Sequence, residues 1–344
     1  MNTCPIPLAD YPVVTLAHGG GGSMMRRLIR DLFAATFGPD SLQSHQDSAL
    51  LDLPPGRVAF TTDSFVVKPL FFPGGDIGSL AIHGTVNDLA MAGATPLYLS
   101  CAMILEEGLP METLWRVAQS MKQAADAAGV QIVTGDTKVV DKGKGDGLFI
   151  TTSGVGVLEF EGETGPGAIR PGDAILVNGD IARHGMAILA ARAELALESP
   201  IDSDSTPLNH AVHALFDAGL DIHALRDATR GGVASAVIEL ARDSRHDLTL
   251  TEAAIPVRED TRGACELLGL DPLYVANEGR FVCFIHPDHA ERALDLLRTH
   301  FPDTTPARIG TVTEGRTGRV TLTSPFGARR PLDLLSGEQL PRIC

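Results

Sequence analysis

One amphipathic helix set between two apolar strands constrains the fold of this chain more than any other feature. The helix is predicted in METLWRVAQSMKQAADAAG, residues 111–129, and Gly129 ends it. The flanking segments PLYLSCAMIL and VQIVTGDTKVV have the composition of strands. One face of the predicted helix carries Leu114, Val117, Met121, Ala125 and Ala128. This order predicts a chain in which strands and helices alternate.

The same alternation recurs on both sides of a segment rich in glycine and proline, residues 161–173. We therefore predict an α+β fold with α/β alternation and two domains, residues 1–165 and 166–330, followed by a mobile tail, residues 331–344. A pair of strands that turns near Asn277 and Gly279 is predicted within residues 273–285. Further strands are predicted at residues 57–67, 147–158 and 174–180, and helices at 77–94, 184–195, 207–219 and 231–243.

Composition excludes several classes of protein. The formal net charge of −15 argues against a nucleic-acid partner, because polyanions are held mainly by Lys and Arg. The N-terminus lacks the pattern of a secretory signal, and no apolar run approaches the roughly 18 residues of a membrane helix. Five scattered cysteines without a CxxC pair indicate a reducing cytoplasm and argue against a disulfide framework or a zinc site. They are Cys4, Cys101, Cys265, Cys283 and Cys344.

A run of four glycines, Gly19–Gly22, precedes a predicted helix and follows His18. Glycine-rich turns that lead into a helix bind phosphate through backbone N–H groups. The segment matches neither a P-loop nor the dinucleotide fingerprint. A phosphate site and a flexible hinge are both compatible with this pattern.

Four aspartates follow apolar segments and are surrounded by small polar residues. Each alone has the setting of a cap or turn residue, whereas together they suggest the hard oxygen ligands that Mg²⁺ prefers beside a nucleotide. Lys138 and Arg230 would supply positive charge to phosphates. The four aspartates are Asp63, Asp88, Asp136 and Asp227.

Two further residues have the chemistry of catalysis. Glu278, in VANEGRFV, lies on a predicted turn beside a glycine and could reach a cleft as a general base, or could be an exposed turn residue. Cys344 is the last residue of the sequence. A thiol on a mobile arm can carry a group between two sites, and the alternative is an unpaired cysteine without function.

Several segments spread over the sequence resemble the family of hydrogenase maturation factors HypE. The resemblance implies the architecture of the aminoimidazole ribonucleotide synthetase (PurM) superfamily. In that architecture the N-terminal domain binds ATP and joins a dimeric β-barrel, a C-terminal α/β domain follows, and the tail bears the cysteine. Residues before LAHGGGG, including Cys4, are not explained by the resemblance. The segments are LAHGGGG, TTDSFVV, PLFFPGGDIGSLAIHGTVNDLAMAGATPLYLS, EEGLPMETL, VTGDTKVV, LRDATRGGVA, NEGRFV and PRIC.

The resemblance also implies a reaction. Cys344 would receive a carbamoyl group from the carbamoyltransferase HypF, and ATP would drive dehydration of this S-carboxamide to an S-cyanide. The cyanide would pass to iron held by HypC and HypD and become a ligand of [NiFe]-hydrogenase. Glu278 would act as the base, and Lys138 would stabilise charge on the phosphates. Rival functions are phosphorylation of a small molecule, as elsewhere in the superfamily, and a non-catalytic assembly scaffold.

The resemblance implies a complete set of site residues. Mg²⁺ would be bound by Asp63, Asp88, Asp136 and Asp227. The nucleotide site would comprise His18, Gly19, Gly20, Gly21, Gly22, Asp63, Asn87, Asp88, Asp136, Thr137, Lys138, Asp227 and Arg230.

Overall fold

The computed structural model of the protein describes residues 11–38, 48–160, 162–192 and 200–335. Its strands are β1 Arg57–Phe65, β2 Phe71–Phe72, β3 Gly75–Asp76, β4 Ala94–Glu106, β5 Gln131–Val140, β6 Leu148–Leu158, β7 Ala174–Val177, β8 Ile222–Asp227, β9 Leu248–Thr251, β10 Phe281–Ile285, β11 Ala307–Val312, β12 Val320–Thr323 and β13 Arg329–Leu332. Its α-helices are α1 Ser23–Leu28, α2 Ala35–Phe37, α3 Ile77–Met91, α4 Met111–Ala128, α5 Arg183–Arg192, α6 Asn209–Asp217, α7 Gly232–Ser244, α8 Glu259–Leu268 and α9 Ala290–His300.

The N-terminal half is built on a four-stranded sheet with the order β1-β6-β4-β5. Strands β4 and β5 are parallel and are joined by α4, as the opening strand–helix–strand pattern predicts. The five predicted face residues of α4 are all buried, and Gly129 ends the helix in the left-handed region at φ 73°. Helices α3 and α4 pack together, and α3 covers β1, β6 and β4.

The other face of this sheet carries exposed apolar side chains, among them Val58, Phe60 and Ile104. Strands β1 and β5 form its two edges, so within the described residues the sheet is open and does not close into a barrel. The predicted barrel would need strands from a second chain and stays a prediction.

The C-terminal half contains a seven-stranded sheet with the order β13-β12-β9-β11-β7-β10-β8. All its strand pairs are antiparallel except β12 with β9. The strand β10 is buried along its whole length because apolar side chains pack on both faces of the sheet. Helix α7 contributes to one of these layers and helices α6 and α9 to the other.

Two elements differ from the sequence prediction. Residues 273–285 do not form a strand pair, because Pro272 begins a short 3₁₀ turn, Pro272–Tyr274, and only Phe281–Ile285 forms a strand. Strand β13 extends to Leu332 and pairs with β12, so the sheet includes the first two residues of the predicted tail. The rest of the domain assignment stays a prediction. Among the described helices, none combines the length and the hydrophobicity needed to span a membrane.

Helix α3 determines where the two halves meet. Asp76 caps its N-terminus by accepting hydrogen bonds from the backbone N–H groups of Gly78 (2.7 Å) and Ser79 (3.1 Å). Its side chains are buried almost throughout, since the four-stranded sheet and α4 lie against it and α6 and β8 contact it from the C-terminal half. A helix in contact on several sides can present polar residues to a cleft between the halves.

Candidate active site

A cleft of about 470 Å³ lies where α3, β1 and β8 meet. Three of the four predicted aspartates line it: Asp63 near the end of β1, Asp88 in the last turns of α3 and Asp227 at the end of β8. Arg230 and Glu278 line the same cleft. The volume falls in the range of small-molecule sites. The structure therefore brings five predicted site residues into one cavity.

Close packing of α3 against β1 brings the first two carboxylates together. Alternation along β1 directs Thr61 and Asp63 towards α3, and the Thr61 hydroxyl donates a hydrogen bond of 2.8 Å to Asp88 Oδ2. Gly84 lies opposite this strand, and a Cβ there would approach the Phe65 ring to 2.7 Å. Glycine at this position permits the close approach.

Burial raises the pKa of all three cleft aspartates, because a carboxylate loses hydration in the cleft. For Asp227 burial raises the pKa to about 6, and repulsion from Asp88 and Asp63 adds to the effect. The positive charge of Arg226 acts in the opposite direction on Asp88 and Asp227. The cleft therefore holds more negative charge than its buried surroundings stabilise.

This charge fits a divalent cation, which would favour the ionised form of each carboxylate. Within the described part of the chain, however, no three His, Cys, Asp or Glu side chains are arranged as a ready-made metal site. Mg²⁺ tolerates that arrangement because it keeps several waters and often binds only one or two protein carboxylates. Asp63, Asp88 and Asp227 are the residues that would hold it.

Glu278 is a buried residue, 4% exposed, and not the exposed turn glutamate of the alternative prediction. Its backbone N–H donates to Asp204 Oδ1 (3.2 Å) and its carbonyl accepts from Asn87 Nδ2 (3.2 Å). The Asn87 amide also donates to the Thr206 carbonyl (3.1 Å), and its oxygen accepts from Leu208 N–H. Both amide hydrogens of Asn87 are thus used within the protein, and its predicted contact with the nucleotide stays a prediction.

The remaining predicted site residues lie on and beside β5. Asp136 and Lys138 form an ion pair of 3.1 Å, and Lys138 holds the pKa of Asp136 below its usual range. Asp136 is in register with Ala102 of β4 and Lys138 with Ile104, both exposed on the face that α3 does not cover. Thr137 is buried on the opposite face.

The glycine run also lies beside β5. A Cβ on Gly19 would approach the Val139 backbone nitrogen to 2.7 Å, so the chain passes close to the strand there. His18 is buried, accepts a hydrogen bond from Thr15 N–H (3.0 Å) at Nδ1, and has a pKa lowered by burial. Helix α1 begins directly after Gly22, as predicted. Contacts of Gly19–Gly22 with phosphate stay a prediction.

The predicted residues therefore fall into two groups in one chain. Asp63 and Asp136 lie on opposite faces of the four-stranded sheet, and three strand spacings, on the order of 14 Å, separate β1 from β5. The predicted convergence of all four aspartates on one metal does not form within the described residues. The group in the cleft and the group on β5 could share a ligand only across two chains.

Sequence reasoning missed Arg226, Thr229 and Glu239, which also line the cleft. Arg226, on β8, pairs with Glu239 of α7. Arg226 directly precedes Asp227, and that adjacency was the one sequence signal that could have placed Arg226 in the cleft.

Glycine is needed at the start of α7, because Gly231 and Gly232 have φ of 74° and 63°.

The predicted carrier, Cys344, lies outside the described residues, as does Cys4. The three described cysteines, Cys101, Cys265 and Cys283, are buried. Burial raises the pKa of Cys101 to about 12 and that of Cys265 to about 11, and it raises the pKa of Cys283 as well. These three thiols have a structural role in the core.

Two family models match the chain: AIR synthase related protein, N-terminal domain, over residues 45–158, and its C-terminal domain counterpart over residues 170–323. Carbamoyl dehydratase HypE of Azotobacter vinelandii is 52% identical over 331 residues, 96% of this chain and 97% of the relative. A solved structure of hydrogenase maturation protein HypE in complex with ATP superposes with a TM-score of 0.91 at 48% identity, over 96% of this chain and 99% of that one. A chain from a solved HypE–HypF complex superposes with a TM-score of 0.78 at 45% identity, over 90% of this chain and 99% of that one. These matches confirm the predicted PurM-like architecture of two domains.

Proposed function

The chain belongs to the HypE family of carbamoyl dehydratases, which act in hydrogenase maturation, and we propose that it converts an S-carboxamide on Cys344 into an S-cyanide with ATP. The observation that carries this proposal is the position of Glu278. A buried carboxylate with a fixed backbone lies in the same cleft as three aspartates that fit a Mg-nucleotide. A base and a phosphate site in one cavity are the two parts that the reaction needs.

In the balanced reaction, the S-carboxamide of Cys344 and ATP are converted into the thiocyanate, ADP and phosphate. ATP supplies the phosphoryl group that makes the amide oxygen a good leaving group. The C–O bond breaks, the oxygen leaves on phosphate, and two N–H protons are lost as the C≡N bond forms. No oxidant or reductant takes part, since the carbon keeps its oxidation state.

Glu278 accepts a proton from the carboxamide nitrogen in this proposal. A general base must lie within hydrogen-bond reach of the proton it removes, and hydrogen bonds on both sides of its backbone limit how far Glu278 can move. Its burial also reduces the access of water, which would hydrolyse an activated carboxamide.

Asp63, Asp88 and Asp227 hold Mg²⁺ in the proposal, and Arg230 and Arg226 face the phosphates. Bound Mg²⁺ would neutralise charge on the phosphates. The raised pKa of each aspartate supports this assignment, because a cation would offset the cost of their ionisation. The ATP-bound relative supports a nucleotide at this fold.

Asp136 and Lys138 act, in the proposal, on the cleft of a second copy of the chain. Their sheet face carries exposed apolar residues, including Phe60, which is 69% exposed, and a homodimer that covers this face would form the predicted barrel.

The carbamoyl group would come from HypF, and the cyanide would pass to iron held by HypC and HypD in the cytoplasm. The HypE–HypF complex among the relatives supports the first partner.

The test is intact-mass analysis after incubation with HypF, carbamoyl phosphate and ATP. We expect a carbamoyl adduct on the C-terminal peptide, followed by loss of the mass of one water only when Mg-ATP is present. An adduct on another cysteine, or ATP consumption with a small molecule and no change at Cys344, would favour a small-molecule kinase. Absence of any ATP turnover would favour a scaffold.

A further inference from the structure

The backbone of Glu278 is held by side chains from two distant segments, and the function proposed above does not account for this. Asp204 accepts from Glu278 N–H at Oδ1 and from Gly279 N–H at Oδ2 (3.2 and 3.4 Å). Asn87, on α3, donates to the Glu278 carbonyl at 3.2 Å. Both polar backbone groups of one residue are therefore bound by buried side chains.

The holding side chains are themselves fixed. Arg280 is 2% exposed, and its guanidinium donates to the carbonyls of Asp180 (2.7 Å) and Gly279 (2.9 Å) while its Nε lies 3.8 Å from Asp204. A Cβ on Gly279 would meet the Asp204 carbonyl oxygen at 1.9 Å, so the turn fits against this segment only with glycine. The turn is therefore rigid at the position of Glu278.

The hydrogen bond from Asn87 crosses between the two halves of the molecule. Asn87 directly precedes Asp88 on α3, whereas Glu278 belongs to the C-terminal half. The same segment of α3 thus positions the Asp88 carboxylate in the cleft and, through Asn87, binds the backbone of Glu278. This amide therefore helps to set the separation of the two carboxylates.

We propose that Asn87 and Asp204 are positioning residues that hold Glu278 at a fixed distance from the carboxylates of the cleft. This proposal rests on the assignment of Glu278 as the base. Neither residue touches the reacting atoms, and both act through Glu278. Small displacements of a catalytic group can lower a rate by up to ~10²-fold, which sets the scale of the expected effect.

The experiment measures single-turnover dehydration of the carbamoylated protein together with the affinity for ATP. Asn87→Ala should slow dehydration by ~10-fold or more, with little change in ATP affinity or in carbamoylation by HypF. Asp204→Asn keeps size and shape but removes one acceptor, so it should also slow dehydration. It serves as the test if Asn87→Ala fails to fold. Asn209→Ala is the matched control, because Asn209 also donates across the two halves, to the Ala128 carbonyl (2.9 Å), in a hydrogen bond that does not involve Glu278, Asn87 or Asp204.

A double-mutant cycle separates positioning from general stability. In a Glu278→Gln background, Asn87→Ala or Asp204→Asn should cause no further loss of rate, because the group they position is already inactive. Equal losses in both backgrounds, or a slowing by Asn209→Ala of the same size, would overturn the proposal. A wild-type rate in Glu278→Gln alone would instead reject the base assignment and therefore the proposed function.

Discussion

The cleft and the outer face of β5 present aspartates in opposite electrostatic states. In the cleft, Asp227 is half-buried and has a raised pKa, whereas Asp136 on β5 is exposed beside Lys138 and has a lowered pKa. Burial disfavours the charge of the first, and an ion pair stabilises the charge of the second. A bound cation would therefore favour the ionised form of the cleft aspartates, whereas Lys138 already does so for Asp136.

The largest expected effect belongs to the cleft. Glu278→Gln keeps the shape of the side chain but removes its ability to accept a proton, so dehydration should slow by ~10³-fold. ATP binding and carbamoylation should persist, which mass analysis of the trapped carbamoyl form would detect. Glu266→Gln on the exposed face of α8 is the control and should behave as wild type. Normal accumulation of thiocyanate in Glu278→Gln would contradict the prediction.

Asp88→Asn should weaken Mg-dependent ATP turnover by ~10²-fold, because it removes one charged group that would hold the cation. The fold should persist, since asparagine can still accept the hydrogen bond from Thr61. The measurement is the initial rate of ADP release as a function of Mg²⁺ concentration, where the variant should need more Mg²⁺. A Mg²⁺ dependence equal to that of the wild type would remove Asp88 from the metal site.

Mixing two inactive variants tests whether the β5 group serves the cleft of a second chain. Lys138→Ala and Glu278→Gln should each be nearly inactive, but mixed dimers would hold one intact site if the two residues meet across chains. Equimolar exchange should then restore about one quarter of wild-type activity.

The control for this exchange is Asp88→Asn mixed with Glu278→Gln, because both residues line one cleft of one chain. In those mixed dimers each cleft carries one of the two changes whether or not subunits share sites, so no activity should return. The converse test is the double variant Lys138→Ala/Glu278→Gln mixed with wild type. If the two residues meet across chains, each changed residue inactivates a different site, so mixed dimers should be inactive at both sites. Half-active mixed dimers would instead place Lys138 and Glu278 in the same site of one chain.

The smallest expected effect is a pH dependence of stability from Asp227. In the unfolded chain this carboxyl ionises near its usual pKa of about 4, whereas in the folded chain it keeps its proton to about pH 6. The free energy of unfolding should therefore fall as the pH rises from about 4 to about 6. Asp227→Asn should make this decrease smaller, since Asp63 and Asp88 also have raised pKa values, and Asp243→Asn, an exposed change on α7, should retain it in full.

Mg²⁺ should raise the melting temperature of the wild type by a few degrees more above pH 6 than below it, because protons and the cation compete for the same carboxylate. Thermal melts with and without Mg²⁺ across this range give the answer. A Mg²⁺ effect that is equal at both ends would show that Asp227 does not take part in binding.

Local patterns predicted most of the fold. The face of α4 is set by helical periodicity, and Gly129 ends the helix as glycine commonly does, so neither depends on distant contacts. The strand predicted before Glu278 failed because Asp271 and Pro272 form a capped 3₁₀ turn, and propensity alone favoured Leu273, Tyr274 and Val275 as a strand. Turn chemistry outweighed β-propensity there.

The site residues stay a prediction, but the structure shows how the fold groups them, which the sequence did not indicate. Asp63, Asp88 and Asp227 converge because β1, α3 and β8 pack together, and no local signal reports that packing. Asp136 shares the same sequence setting, yet strand order puts it three strands away and on the other face. The role of Asn87 was likewise hidden, since its partners at Thr206, Leu208 and Glu278 are more than a hundred residues distant in sequence.

The burial of Cys101, Cys265 and Cys283 has a practical consequence for chemical labelling. Alkylating reagents attack the thiolate, and at neutral pH these three sulfurs are both protonated and shielded from solvent. A maleimide or iodoacetamide probe applied to the folded protein should therefore react only at Cys4 or Cys344. In a Cys4→Ser background, a single fluorophore or spin label could be attached at Cys344 without altering the core, so the movement of the proposed carrier could be followed directly.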